Sequence, residues 1–191
     1  MAAKLALISY VVLGVVLCIS AGTDLKTGKV YNWLTLPAIL LGFALAVGGG
    51  ALMNGQPGAV AGLKDVSLAF ALGLVPFVVI FAAGGLGGGD VKLMATVGAV
   101  SAQWQVVLGT AFYAFAVGMV MAVVLMIRRR IVKQTLGRVF TAALTAAAGV
   151  KPSLPGDSPR IPFALCICLG GLLAGAEKML HVNLPWSGWL Y

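Results

Sequence analysis

Charge is scarce in this sequence. Only 9% of its 191 residues are Asp, Glu, Lys or Arg, and just five are acidic. A soluble domain carries roughly 25% charged residues, so a water-exposed globular domain of any size is excluded. Histidine occurs once and cysteine three times, as Cys18, Cys166 and Cys168, with no CxxC pair. That excludes a recognisable zinc module or disulfide framework, and the three thiols read as small apolar packing residues. No metal and no cofactor is expected. The formal net charge of +8 raises the question of nucleic acid. The cations, however, stand beside hydrophobic segments, which is how membrane proteins encode orientation. The partner implied is a lipid bilayer, and nucleic acid is not expected.

Long apolar runs are abundant, with 61% of residues hydrophobic. A helical crossing takes about 20 residues, so about six crossings with short connections nearly use up the chain. The expectation is an all-α, polytopic membrane helix bundle, one integral-membrane domain over 1–191. Its spans are read at approximately 5–22, 33–47, 67–83, 90–102, 106–127 and 161–176. Gly48-Gly49-Gly50 and Asn54-Gly55-Gln56-Pro57-Gly58 mark a loop. Residues 59–66 suggest an interfacial turn with Lys64 and Asp65 exposed. Span four is short, covering about 18 Å of a core near 30 Å. Fusing 90–127 into one helix would give about 57 Å, too long to cross reasonably. A turn at Gln103-Trp104-Gln105 is therefore expected. Residues 128–160 form a basic loop containing an amphipathic helix over 131–148, suited to lying on the membrane surface. Glu177, Lys178 and His181 end the last span.

Alternating six spans across the bilayer sorts the cations. Lys26, Lys29, Lys92, Arg128, Arg129, Arg130, Lys133, Arg138, Lys151 and Arg160 fall on one side; Lys4, Lys64 and Lys178 fall on the other. The richer side is cytoplasmic by the positive-inside rule, which puts both termini outside.

Against this background one stretch stands out: Gly87-Gly88-Gly89-Asp90-Val91-Lys92-Leu93. Charges at membrane depth are expensive and point to function. Three glycines remove side chains just before a carboxylate, so backbone or substrate can approach it. Asp90 then opens a helix, whose N-terminus favours negative charge. Asp24 ends span one on the same cytoplasmic face. Two carboxylates at one depth can share a proton. The ionised member then takes a proton from water while the protonated member polarises a carbonyl. In the plainer reading each aspartate only caps a helix or pairs with Lys26 or Lys92. His181 is isolated on the outer side and has no chemistry assigned.

Gly87-Gly88-Gly89-Asp90-Val91-Lys92-Leu93 resembles the GxGD-x-K-L motif of type IV prepilin peptidases. Asp24-Leu25-Lys26-Thr27-Gly28-Lys29-Val30-Tyr31-Asn32-Trp33-Leu34-Thr35 is similar to that family's first-aspartate segment, with Val30-Tyr31 where the family typically has Ile-Pro. Arg160-Ile161-Pro162-Phe163 resembles its last-span entry. The resemblance runs from about residue 5 to 176. It implies an aspartic endopeptidase of the inner membrane with Asp24 and Asp90 catalytic. The implied substrates are prepilins or pseudopilins, which lose a short basic leader at the cytoplasmic face. Gly87, Gly88, Gly89, Lys92, Lys29 and Asn32 are expected to support the site or contact substrate. Lys92 is read as acting on Asp90, meeting a substrate carboxylate or snorkelling, and Asn32 as holding the Asp24 loop. The larger members' four-cysteine region, which accompanies N-methylation, is missing here. The short form is similar to the peptidases of tight-adherence (Flp) pilus systems. A rival of another class is a small transporter or channel subunit with an ion-binding aspartate pair.

Overall fold

The computed structural model describes residues 2–128, 137 and 162–180, and every described element is a helix. They are α1 (Ala2–Thr27), α2 (Asn32–Ala82), α3 (Gly88–Ser101), α4 (Trp104–Arg128) and α5 (Phe163–Leu180). Residues 2–117 and 162–180 belong to one compact unit, and 118–128 with Gly137 to a second. The described part of that second unit is the last stretch of α4 and Gly137. Apart from Gly137, the expected surface helix over 131–148 lies outside the described residues, as do most of the basic loop, Asp157 and His181.

Among the described residues, four helices are long and apolar enough to cross a membrane: Lys4–Thr27 of α1, then α2, α4 and α5. The sequence expectation of about six crossings meets two differences. The first is in α2, where a loop was expected over 48–58 and a turn over 59–66. The chain does reverse inside the expected loop, at Asn54 (φ −133°, ψ 19°) and Gly55 (φ 63°, ψ −145°), but the break is confined to those two residues, and helix fills 48–53 and 56–66. Gly55 adopts a backbone that side chains resist, and Pro57 follows in the first turn of the returning arm, where its fixed φ fits. The arms, 32–53 and 56–82, touch backbone to backbone. A Cβ on Gly50 would strike the Gly58 carbonyl, and one on Gly62 the Ala46 carbonyl. The glycines that read as loop are what lets the arms close, as small residues do between membrane helices. The second difference is α3, whose 14 residues extend only about 21 Å. It is not among the four.

The core is built around α3. Val91 and every residue from Leu93 to Ser101 are buried. The two α2 arms bury stripes at helical spacing: Thr35, Ala38 and Gly42 on one, Val66, Ala69, Gly73 and Phe77 on the other. Gly42 lies on the Ala99 backbone, Gly73 on the Met94 backbone, and Ala69 on Gly98. A helix seated this closely has no room to shift. It stops at Ala102 (φ 50°), whose N–H bonds the Gly98 carbonyl at 3.0 Å. This break is the turn the sequence required, one residue earlier than read, and the single fused helix is ruled out.

Helix α5 packs antiparallel on α1. Gly171 faces Leu17, Gly14 faces Leu172 and Gly175 faces Tyr10. The last span was expected to end near 176 with Glu177 at the outer surface. It runs to Leu180, and Glu177 is buried, accepting a hydrogen bond from the Tyr113 hydroxyl at 2.6 Å. A buried carboxyl needs such a partner, and α4 supplies it. Large apolar side chains, among them Leu7, Val11, Val15, Leu40, Val79 and Met119, face outward. That surface suits hydrocarbon rather than water.

Candidate active site

Helix α1 ends in a glycine stop. Gly28 takes φ 63° and its N–H bonds the Asp24 carbonyl at 2.8 Å. This left-handed cap is the usual use of glycine just past a helix. Lys29, Val30 and Tyr31 then run without helical structure into α2. Tyr31 is extended (φ −84°, ψ 135°), and its carbonyl accepts from the N–H groups of Leu34 and Thr35.

The other wall starts from Gly87, extended at φ −80° and ψ 147°, which is the N-cap of α3. Asp90 is the third helical residue, and its Oδ2 accepts from the Gly87 N–H at 3.3 Å. This is half of a capping box, since glycine has no side chain to complete it. Asp90 therefore caps its helix, as the plainer reading expected. It also lines, with Asp24, a cavity of about 360 Å³, whose remaining walls are Gly28, Lys29, Val30, Tyr31, Asn32, Gly87, Gly88 and Gly89. Both aspartates are half-buried. The Ala164 backbone N–H, in the first turn of α5, is directed at the Asp24 carboxylate.

The electrostatics of Asp90 follow from this setting. Burial first, and the neighbouring Asp24 carboxylate second, push its pKa up to about 6, against a smaller opposing pull from the Gly87 N–H. Lys92 is not among the groups that set it. Its ammonium donates instead to Asn32 Oδ1 at 2.9 Å. Two residues along a helix is about 200° of rotation, so Lys92 and Asp90 leave α3 on opposite sides.

All the supporting residues named from sequence except Lys92 line the cavity, and Lys92 reaches it through Asn32. Sequence reasoning gave no place in the site to Gly28, Val30 and Tyr31, which line the cavity, or to Ala164. Val30 packs against Gly89, where a Cβ would lie 3.1 Å from Val30 Cβ. Val30-Tyr31 stood out only as a departure from the family's Ile-Pro, and Ala164 offers only its backbone, so it gave no signal. Among the described residues no group of three or more His, Cys, Asp or Glu side chains is placed to hold a metal ion.

A search of curated proteins and a search of solved structures each returned no match. The sequence profile of the type IV leader peptidase family matches residues 11–123, more than half the chain and a stretch containing both aspartates of the cavity. By that match, the chain belongs to the type IV leader peptidase family and is a peptidase with helices apolar enough to span a membrane.

Proposed function

We propose that this protein is a prepilin peptidase. It removes the short basic leader from prepilins or pseudopilins, Flp-type pilins among them, at the cytoplasmic face of the inner membrane, using Asp24 and Asp90 as one catalytic unit. The observation that carries the reading is that the two aspartates line one small, glycine-walled cavity. Family membership supplies the reaction class.

The chemistry follows from one proton on two carboxyls. In this scheme Asp90 holds the pair's single proton and donates it to the scissile carbonyl oxygen. Asp24, ionised, takes a proton from water, and the hydroxide equivalent adds to the carbonyl carbon. The tetrahedral diol collapses as the Asp24 proton passes to the leaving amine and Asp90 recovers its own from a diol hydroxyl. Acid and base exchange roles, and the pair returns to its starting charge. Gly87, Gly88 and Gly89 leave an extended peptide space beside Asp90.

The membrane arrangement in this proposal has both termini outside and the cavity facing the cytoplasm. Each α2 arm, roughly 33 and 40 Å long at 1.5 Å per residue, crosses separately, and α3, short and enclosed by the bundle with Asp90 at its cytoplasmic end, completes six crossings with α1, α4 and α5. Lys26, Lys29 and Lys92 lie on the cavity's side, as the positive-inside rule asks. The whole chain acts as a single peptidase domain. The test incubates purified protein in detergent with a synthetic prepilin and weighs the products. Two fragments summing to substrate plus one water are expected. Intact substrate, together with aspartate-dependent ion flux in vesicles, would replace this reading with the transporter.

A further inference from the structure

The connection between α1 and α2 touches α3 at two places that bracket Asp90. One residue before it, Gly89 lies under Val30; a Cβ would approach Val30 Cβ to 3.1 Å and Cγ2 to 3.3 Å. Two residues after it, Lys92 donates to Asn32 Oδ1 at 2.9 Å. The partners match in order along both chains: Val30 with Gly89, Asn32 with Lys92. Two contacts fix rotation as well as approach, which one contact does not. The connection has no side-chain cap at the start of α2 and runs without helical structure from Gly28 to Tyr31. It begins directly after the turn that carries Asp24. On the other side, α3 is locked by backbone contacts with both α2 arms.

We infer that Lys92 is a positioning residue acting through Asn32: their hydrogen bond holds the Asp24-bearing connection at a fixed register on α3 and so sets the spacing of the two aspartates. This rests on the peptidase reading of the same cavity. Lys92 makes no contact with Asp90 in this role and needs none with substrate. Its charge strengthens a bond to a neutral amide, at an exposed position where a neutral pair would compete poorly with water.

The role has a kinetic signature. Lys92→Met and Asn32→Ala each lower kcat by about 10- to 100-fold, the scale of a misplacement near 1 Å, with KM changed less than threefold. The double variant is no worse than the poorer single, because both remove one bond. Lys92→Arg, which can still donate, retains at least a third of kcat. A substrate-binding Lys92 gives the opposite pattern: KM rises, Asn32→Ala is mild and the two effects add. A second readout needs no cleavage. Amide hydrogen exchange over residues 28–32 speeds up at least threefold in Lys92→Met and in Asn32→Ala, while α3 keeps its protection. Unchanged exchange, or additive kinetic effects with raised KM, overturns the inference. If the wild-type protein cleaves nothing, the peptidase reading fails instead, and the exchange result still decides whether the register bond exists.

Discussion

Gly89→Ala tests the cavity geometry most finely. An alanine Cβ at position 89 would lie 3.1 Å from Val30 Cβ, 3.3 Å from its Cγ2 and 3.5 Å from its backbone nitrogen. Carbon atoms prefer about 3.5–4.0 Å, so something must retreat by a few tenths of an ångström. It cannot be α3, because Gly42, Gly73 and Ala69 hold it backbone to backbone and Leu93 and Met94 are fully buried. The Val30 connection must move, and Asp24 precedes it by one helical turn. A shift of about 1 Å in a catalytic group costs roughly 100-fold, so a loss of about 3- to 10-fold is expected for a few tenths of that. Stability changes by less than about 1 kcal/mol, since an exposed loop gives way rather than the core. Gly88→Ala is milder, because its Cβ would meet the Phe81 ring at 3.5 Å, an ordinary contact. Val30→Gly removes both crowding side-chain carbons and restores part of the rate to Gly89→Ala. The assay is initial-rate cleavage of a synthetic prepilin by mass spectrometry, with thermal unfolding measured alongside. Wild-type activity in Gly89→Ala, or a larger loss in Gly88→Ala, would refute the argument.

Two further outcomes follow. With Asp90 near pKa 6, its proton is lost as pH rises through 6, so kcat/KM falls about tenfold per unit above that. The same raised value means the native state holds the proton more tightly than the unfolded chain, so this group's contribution to stability falls between about pH 4 and 6. A profile flat from pH 5 to 9 contradicts both the acidity and the one-proton mechanism. Tyr113→Phe deletes the 2.6 Å hydrogen bond to buried Glu177 and should cost about 1–3 kcal/mol. Thermal unfolding in detergent reads this as a lowered Tm with kcat intact, and an unchanged Tm would argue against the pair.

What the sequence revealed was what stood against its background. Asp24 and Asp90 were visible because a carboxylate is conspicuous in apolar sequence, and both line the cavity. Gly48-Gly49-Gly50 misled because glycine weakens a helix in water, whereas here Gly50 meets Gly58 between tightly packed arms. Glu177 was placed at the outer surface because its partner, Tyr113, lies 64 residues away. Lys92 and Asn32 were both noticed, but their bond spans 60 residues, and no local pattern predicts such a meeting. Val30 stood out only as a departure from the family's Ile-Pro, and its packing on Gly89 depends on where its side chain sits.

The central claim is that Asp24 and Asp90 act as one unit. Its most direct test compares prepilin cleavage by the wild-type protein with Asp24→Asn, Asp90→Asn and the double variant, at matched membrane levels. Asparagine keeps the shape and can hydrogen-bond but cannot carry the proton. Each single variant should lose activity by at least about 1,000-fold, and the double should be hardly worse, as for groups that work together. Asp65→Asn, at an exposed position on the returning arm of α2, should cleave at the wild-type rate. Substantial cleavage by either single variant would contradict the account.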